Sequence, residues 1–196
     1  MDSILGVVRR SRLTLVVISA LVVSAMGPQL SHLTAAQLGD GTTVFTSPPR
    51  LVSFVTTDDT ANKKDVTYYV TVNLLPEAEE SLETLTVELV EGRFTRLDYH
   101  ADRIEVFEGT RQTREDNYPI ESANYDEDSQ TVTVRLSQSV APGQVITLAL
   151  KPVRNPSREG VYLFRVSAAP AGENPVAQRV GTGRIHIYRE SILDIF

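Results

Sequence analysis

Val66-Thr67-Tyr68-Tyr69-Val70-Thr71-Val72-Asn73-Leu74 is the stretch that decides the fold. Val66, Tyr68, Val70, Val72 and Leu74 alternate with Thr67, Tyr69, Thr71 and Asn73. Successive side chains of a strand point to opposite faces, so a period of two means one dry face and one wet face. The pattern returns at Leu85, Val87 and Leu89, at Val132, Val134 and Leu136, and at Ile146, Leu148 and Leu150. It continues at Tyr162, Phe164 and Val166 and at Ile185 and Ile187, with shorter runs at Leu51 to Val55 and Ile104 to Phe107.

Turn chemistry separates these runs at Ala141-Pro142-Gly143, Asn155-Pro156-Ser157 and Glu159-Gly160. Pro76 to Leu82 is the one place that reads as a helical turn, with Pro near its start and acids in its first turn. Short half-buried strands between turns predict an all-β chain. The expected fold is a single antiparallel β-sandwich of roughly seven to nine strands with immunoglobulin-like topology.

The N-terminus reads differently. Arg9, Arg10 and Arg12 precede an apolar run from Leu13 to Met26 that is short for a bilayer span, and Val23-Ser24-Ala25 supplies small residues. This is the shape of a secretory signal peptide over residues 1–25, with a second cut conceivable after Ala36 and an uncleaved anchor as the alternative. The expected organisation is then a flexible lead-in over 26–43, the sandwich over 44–188 and a tail over 189–196. No membrane span is expected in the mature protein, because the later strands are too short and too polar on one face for a lipid-exposed barrel.

Without residues 1–25 the chain keeps 16 basic and 24 acidic residues, a formal charge of −8. That balance argues against nucleic acid, whose binding depends on neutralising phosphates. There is no Cys, so thiol chemistry and cysteine metal sites are excluded, and an exported chain must then rely on its core.

Several blocks carry a resemblance. Val44-Phe45-Thr46-Ser47-Pro48-Pro49-Arg50-Leu51, Tyr68-Tyr69-Val70-Thr71 and Glu108-Gly109-Thr110-Arg111 begin it. Lys151-Pro152-Val153-Arg154-Asn155-Pro156, Gly160-Val161-Tyr162-Leu163-Phe164, Pro170-Ala171-Gly172 and Gly181 to Tyr188 complete it. Over roughly residues 44–188 the sequence resembles the cyanobacterial exported family called domain of unknown function 2808. The resemblance implies export and supplies no catalytic or ligand residue.

Candidate chemistry is sparse. His32, His100 and His186 are the only histidines, and no Gly-x-Ser-x-Gly or His-Glu-x-x-His motif accompanies them. Asp58-Asp59 and Asp126-Glu127-Asp128 lack the spacing of a calcium loop. Gly181-Thr182-Gly183 precedes a strand, so it reads as a turn or bulge and not as a phosphate loop. Arg50, Arg111 and Arg154 each sit beside turn residues in a family-like block, where a guanidinium either binds an anionic partner or ties a loop. The tie is the expectation, for Arg154 above all. No cofactor and no metal site are expected. The functional expectation is an exported, non-enzymatic binding or structural module of the periplasm, outer envelope or medium. Its partner would be an envelope protein or a polysaccharide. A carbohydrate-active hydrolase using a carboxylate pair, and a calcium-dependent adhesin, are the alternatives.

Overall fold

The computed structural model describes residues 41–93 and 96–189. The expected signal peptide, all but the last residues of the lead-in, and the tail after Arg189 lie outside the described residues.

Ten strands form: β1 (Arg50–Thr56), β2 (Tyr68–Asn73), β3 (Leu82–Glu91), β4 (Glu105–Glu108), β5 (Asn117–Tyr118), β6 (Ile120–Asp126), β7 (Thr131–Val140), β8 (Val145–Leu150), β9 (Gly160–Pro170) and β10 (Gln178–Ile187). They build two antiparallel sheets, ordered β1-β2-β8-β4-β5 and β10-β9-β3-β7-β6. The expected all-β sandwich is therefore the fold. β3 lies between β9 and β7, the interleaved wiring of immunoglobulin-like sandwiches. The count exceeds the expected seven to nine because β5 and β6 carry no clear alternation. Between them stands Pro119, where the chain passes from one sheet to the other. Proline has no N–H to give a ladder, so a sheet-switching point suits it. A 3-10 turn occupies Pro76–Ala78, within the segment expected to turn, and a second, unforeseen one occupies Ala101–Arg103.

The alternating residues form the core. Tyr68, Val70 and Val72 of β2 face Leu85, Val87, Phe164 and Val166 of the other sheet's strands, all buried. Phe54 of β1 stacks on Phe164 with centroids 4.8 Å apart, and Tyr68 meets the same ring edge-on at 5.8 Å. β1 comes so close to β10 because Gly181 and Gly183 present no side chain there. A methyl at Gly181 would stand 2.7 Å from Leu51 Cβ, and one at Gly183 would overlap the Phe54 ring. Gly181-Thr182-Gly183 is not the turn or bulge expected: the three pair in register with Val166, Arg165 and Phe164, and the register shift of β10 falls just before them, between Arg179 and Gly181.

The outer face of the first sheet is partly roofed. Phe107, Thr71, Thr147 and Ala149 point away from the main core yet are buried. The connection 109–116 folds over them: Thr147 Oγ1 donates to Gly109 O at 2.7 Å, and Arg114 covers the Phe107 ring at 4.5 Å.

Both ends of the described chain are fastened by parallel bridges, Thr43 to Pro175 and Thr60 to Tyr188. Val176 N–H donates to Thr43 O at 3.0 Å at one end of the sandwich. At the other, Tyr188 N–H donates to Asp59 O and Ala61 N–H to Tyr188 O, both at 2.8 Å. The parallel sense of both bridges means that β1 and β10 run in the same direction.

Candidate functional site

The connections 57–67, 96–104, 127–130 and 151–159 gather at one end of the sandwich. There residues 151–156 form a short ribbon between 62–64 and 98–100, with antiparallel bridges Lys64 to Arg154 and Tyr99 to Pro152. His100 N–H donates to Lys151 O, Val153 N–H to Asp98 O and Asn155 N–H to Lys63 O, each at 2.8 Å. Pro152 and Pro156 have no N–H to offer, and Pro156 holds Asn155 extended.

Asn155 is the tie. It is fully buried, and its Oδ1 accepts the Tyr68 hydroxyl at 2.8 Å. Its Nδ2 donates to Asp58 O and Thr60 O, both at 2.9 Å. One amide thus fastens the β1–β2 loop and the β8–β9 loop to the core strand β2. Asp58 stiffens the same loop by accepting the Thr60 N–H at 2.8 Å, which holds its carboxyl below the usual range, with a smaller contribution from Lys63 at 3.8 Å.

A hollow of about 370 Å³ opens over this ribbon, lined by Asn62, Asp98, Val153, Arg154 and Ser157 among others. Its far wall is positioned by buried Gln130, whose Oε1 accepts the Leu97 N–H at 2.6 Å while its Nε2 donates to Tyr125 Oη at 2.6 Å. Arg96 on that wall pairs with Glu127 and Asp98.

The three arginines singled out by the sequence do not converge. Arg50 opens β1, opposite Asn73, at the far end of the sheet from Tyr68. Arg111 lies 5.2 Å over the Tyr69 ring, as part of the roof on the outer face. Arg154 lines the hollow, and here the expectation of a tie is corrected. Arg154 is exposed, and no hydrogen bond or ion pair joins its guanidinium to any described residue. The neighbouring Asn155 fastens the loop instead, because a short neutral amide can be buried with all its bonds made at far lower cost than a charge. In the sequence Asn155 reads only as a turn residue, and the one signal for Lys64 is the Lys63-Lys64 pair in a chain of few lysines.

Of the other candidates, His100 lies beside a smaller hollow of about 170 Å³ with Arg103 and Lys151. His186 is exposed on β10, on the face opposite Ile185 and Ile187, and His32 lies outside the described residues. Asp126 accepts the Ser129 N–H at 3.3 Å and the Asp128 N–H at 2.9 Å at the tip of the β6–β7 hairpin, which hold its carboxyl low. No group of three metal-ligating side chains occurs among the described residues. Glu108 and Asp116 share a hollow of about 480 Å³ with Tyr118 near the opposite end. Among the described residues no helix is long and apolar enough to cross a membrane.

These features define an all-β sandwich with an exposed arginine on a fastened ribbon at one end. The chain belongs to the family described as Protein of unknown function (DUF2808), whose profile matches residues 42–187. No curated protein matches it. Among solved structures it is similar to a collagen-binding domain from a Staphylococcus aureus adhesin, at 10% identity over 70% of this chain and 97% of that one, TM-score 0.38. It is also similar to the collagen-binding subdomain of the Enterococcus faecalis surface protein ACE, at 9% identity over 68% and 95%, TM-score 0.41. A third, the bacterial hydrophobin BslA, shows 16% identity over 74% and 97%, TM-score 0.43. Likeness at this level assigns no ligand.

Proposed function

We propose that the protein is a non-enzymatic binding module that works outside the cytoplasm, in the envelope or the medium, and meets its partner with the Asn155-fastened loop end. The export segment read from the sequence supports the location. One observation carries the site: Arg154 stands unpaired over a hollow, on a ribbon whose neighbouring residue is buried and fully bonded. Loops held rigid by a scaffold are where binding groups concentrate, and a preorganised group loses little entropy on binding. The partner is an envelope protein or a polysaccharide.

Recovery of the native protein with its envelope partner tests this reading. Arg154→Ala is expected to lose the partner, while Arg50→Ala at the opposite end retains it. Equal recovery by both variants would overturn the assignment of this end. The hydrolase reading has one feature in its favour, the two carboxylates Glu108 and Asp116 on a shared hollow. Turnover of an envelope polysaccharide that disappears in Glu108→Gln would establish it in place of the module.

A further inference from the structure

Lys64 and Arg154 are both exposed, and they stand directly opposite one another across an antiparallel bridge. The flanking bond from Asn155 N–H to Lys63 O marks them as a non-hydrogen-bonded pair, the kind whose side chains stand closest. Cβ atoms in such pairs are about 4.5–5.5 Å apart, and like charges so placed are destabilising. Neither cation has a hydrogen-bonded or ionic partner among the described residues. Their neighbours do: Lys63 pairs with Asp58 at 3.8 Å, and Arg96 pairs with Glu127. In a chain with 25 acidic residues and 19 basic ones, two adjacent cations left without an acid are conspicuous.

We infer that Lys64 and Arg154 form a two-armed clamp for the carboxylate of an acidic sugar, a uronate unit of a polysaccharide. The inference rests on the reading of this end as the contact surface. The guanidinium offers a planar fork to both oxygens of a carboxylate, and the ammonium adds a compact charge beside it. Arg154 lines the hollow and Lys64 stands beside it across the bridge, outside the lining; the remaining lining selects a sugar over a bare anion. Asp98 only accepts hydrogen bonds, and sulfate has no proton for it, whereas ring hydroxyls donate to it. Asn62 and Ser157 can both donate and accept, which suits a row of hydroxyls. Val153, Leu97 and Pro156 give the hollow limited apolar surface for the C–H face of a ring. Its volume of about 370 Å³ lies within the range of small-ligand pockets. An acidic peptide would satisfy the clamp but offers no ring hydroxyls to Asp98, Asn62 and Ser157.

Calorimetric titration of the full chain tests this, with trigalacturonate, a neutral galactose trimer, sodium sulfate and triglutamate as the probes. Trigalacturonate is expected to bind at least about ten-fold more tightly than the other three. Arg154→Gln and Lys64→Glu are each expected to weaken it by about ten-fold or more, while the remote Arg184→Gln leaves it unchanged. Lys64→Glu has a second readout that needs no ligand: it turns a like-charge pair into an opposite pair, so its melting temperature rises. A fall in melting temperature would contradict the cross-ribbon geometry. Sulfate or triglutamate binding as tightly as trigalacturonate would overturn the sugar, and trigalacturonate binding unaltered by both variants would overturn the clamp. If trigalacturonate fails to bind while Arg154→Ala still loses the envelope partner, the clamp falls and the contact surface stands. If that partner is retained, both fall.

Discussion

The Tyr68 hydroxyl donates to Asn155 Oδ1 at 2.8 Å in a place sealed from solvent, joining a core strand to a loop 87 residues further along the chain. Tyr68→Phe leaves that oxygen without a partner, at a cost of about 1–3 kcal/mol. Asn155→Ala also removes the amide donor to the carbonyls of Asp58 and Thr60, which keep only the Thr56 hydroxyl at 2.7 Å and the Lys63 N–H at 3.3 Å, and is expected to cost more. Urea unfolding of the two variants checks the order, and a Tyr68→Phe protein as stable as wild type would remove the bond from any role in stability.

Arg154 sits next to that anchor yet contributes nothing to it. Arg154→Ala is expected to change stability by no more than about 0.5 kcal/mol, as for an exposed side chain with no partner. A loss of more than about 1 kcal/mol in the same urea experiment would mean that the guanidinium ties the loop after all.

Gly183 lies under Phe54, where β1 crosses β10. Gly183→Ala forces the ring or the strand aside, and overpacking of this kind costs about 1–3 kcal/mol. The same change at Gly143, a turn position with φ of 90° and its nearest neighbour 3.8 Å away, strains the backbone without any clash. Thermal melts of both variants, with near-ultraviolet spectra reporting the Phe54–Phe164 stack, separate crowding from backbone strain.

Alkali should unfold the protein through its buried phenols. Burial pushes the Tyr68 hydroxyl well up from 10.0, with the nearby Tyr162 adding to it, and burial also pushes Tyr99 well up. Unfolded tyrosines ionise near 10.0 while these two keep their protons in the fold. Their contribution is therefore complete below that pH and is lost as pH rises from 10.0 towards the folded values. Phenolate absorbance followed beside circular dichroism is expected to show the last phenols ionising only as the sheet signal collapses. Full ionisation near 10.0 with an intact sheet would refute it.

What the sequence could show depended on whether a residue's role was local. Val70 and Thr71 announce their faces by alternation alone, and so do Val134 and Leu148, because a sheet with one buried face repeats every two residues. β6 gave no such sign: in Ile120 to Asp126 the inward positions Ala123 and Tyr125 are only partly covered, so selection for apolar residues there is weak. Phe107 reads as core, but it is buried on the outer face beneath Arg114. Alternation tells which residues share a face and not what covers that face. The site was least legible of all. Asn155 depends on Tyr68, and Lys64 on Arg154, and each pair meets only through the tertiary fold.

The parallel bridges at the two ends have a mechanical consequence. Thr43 enters at one end of the sandwich and Tyr188 leaves at the other, and β1 and β10 run the same way between them. A load pulling residues 43 and 188 apart would slide strands lengthwise past one another and strain many cross-strand bonds together. It would not peel one edge strand bond by bond. The sandwich should therefore stretch stiffly and give way in one abrupt step.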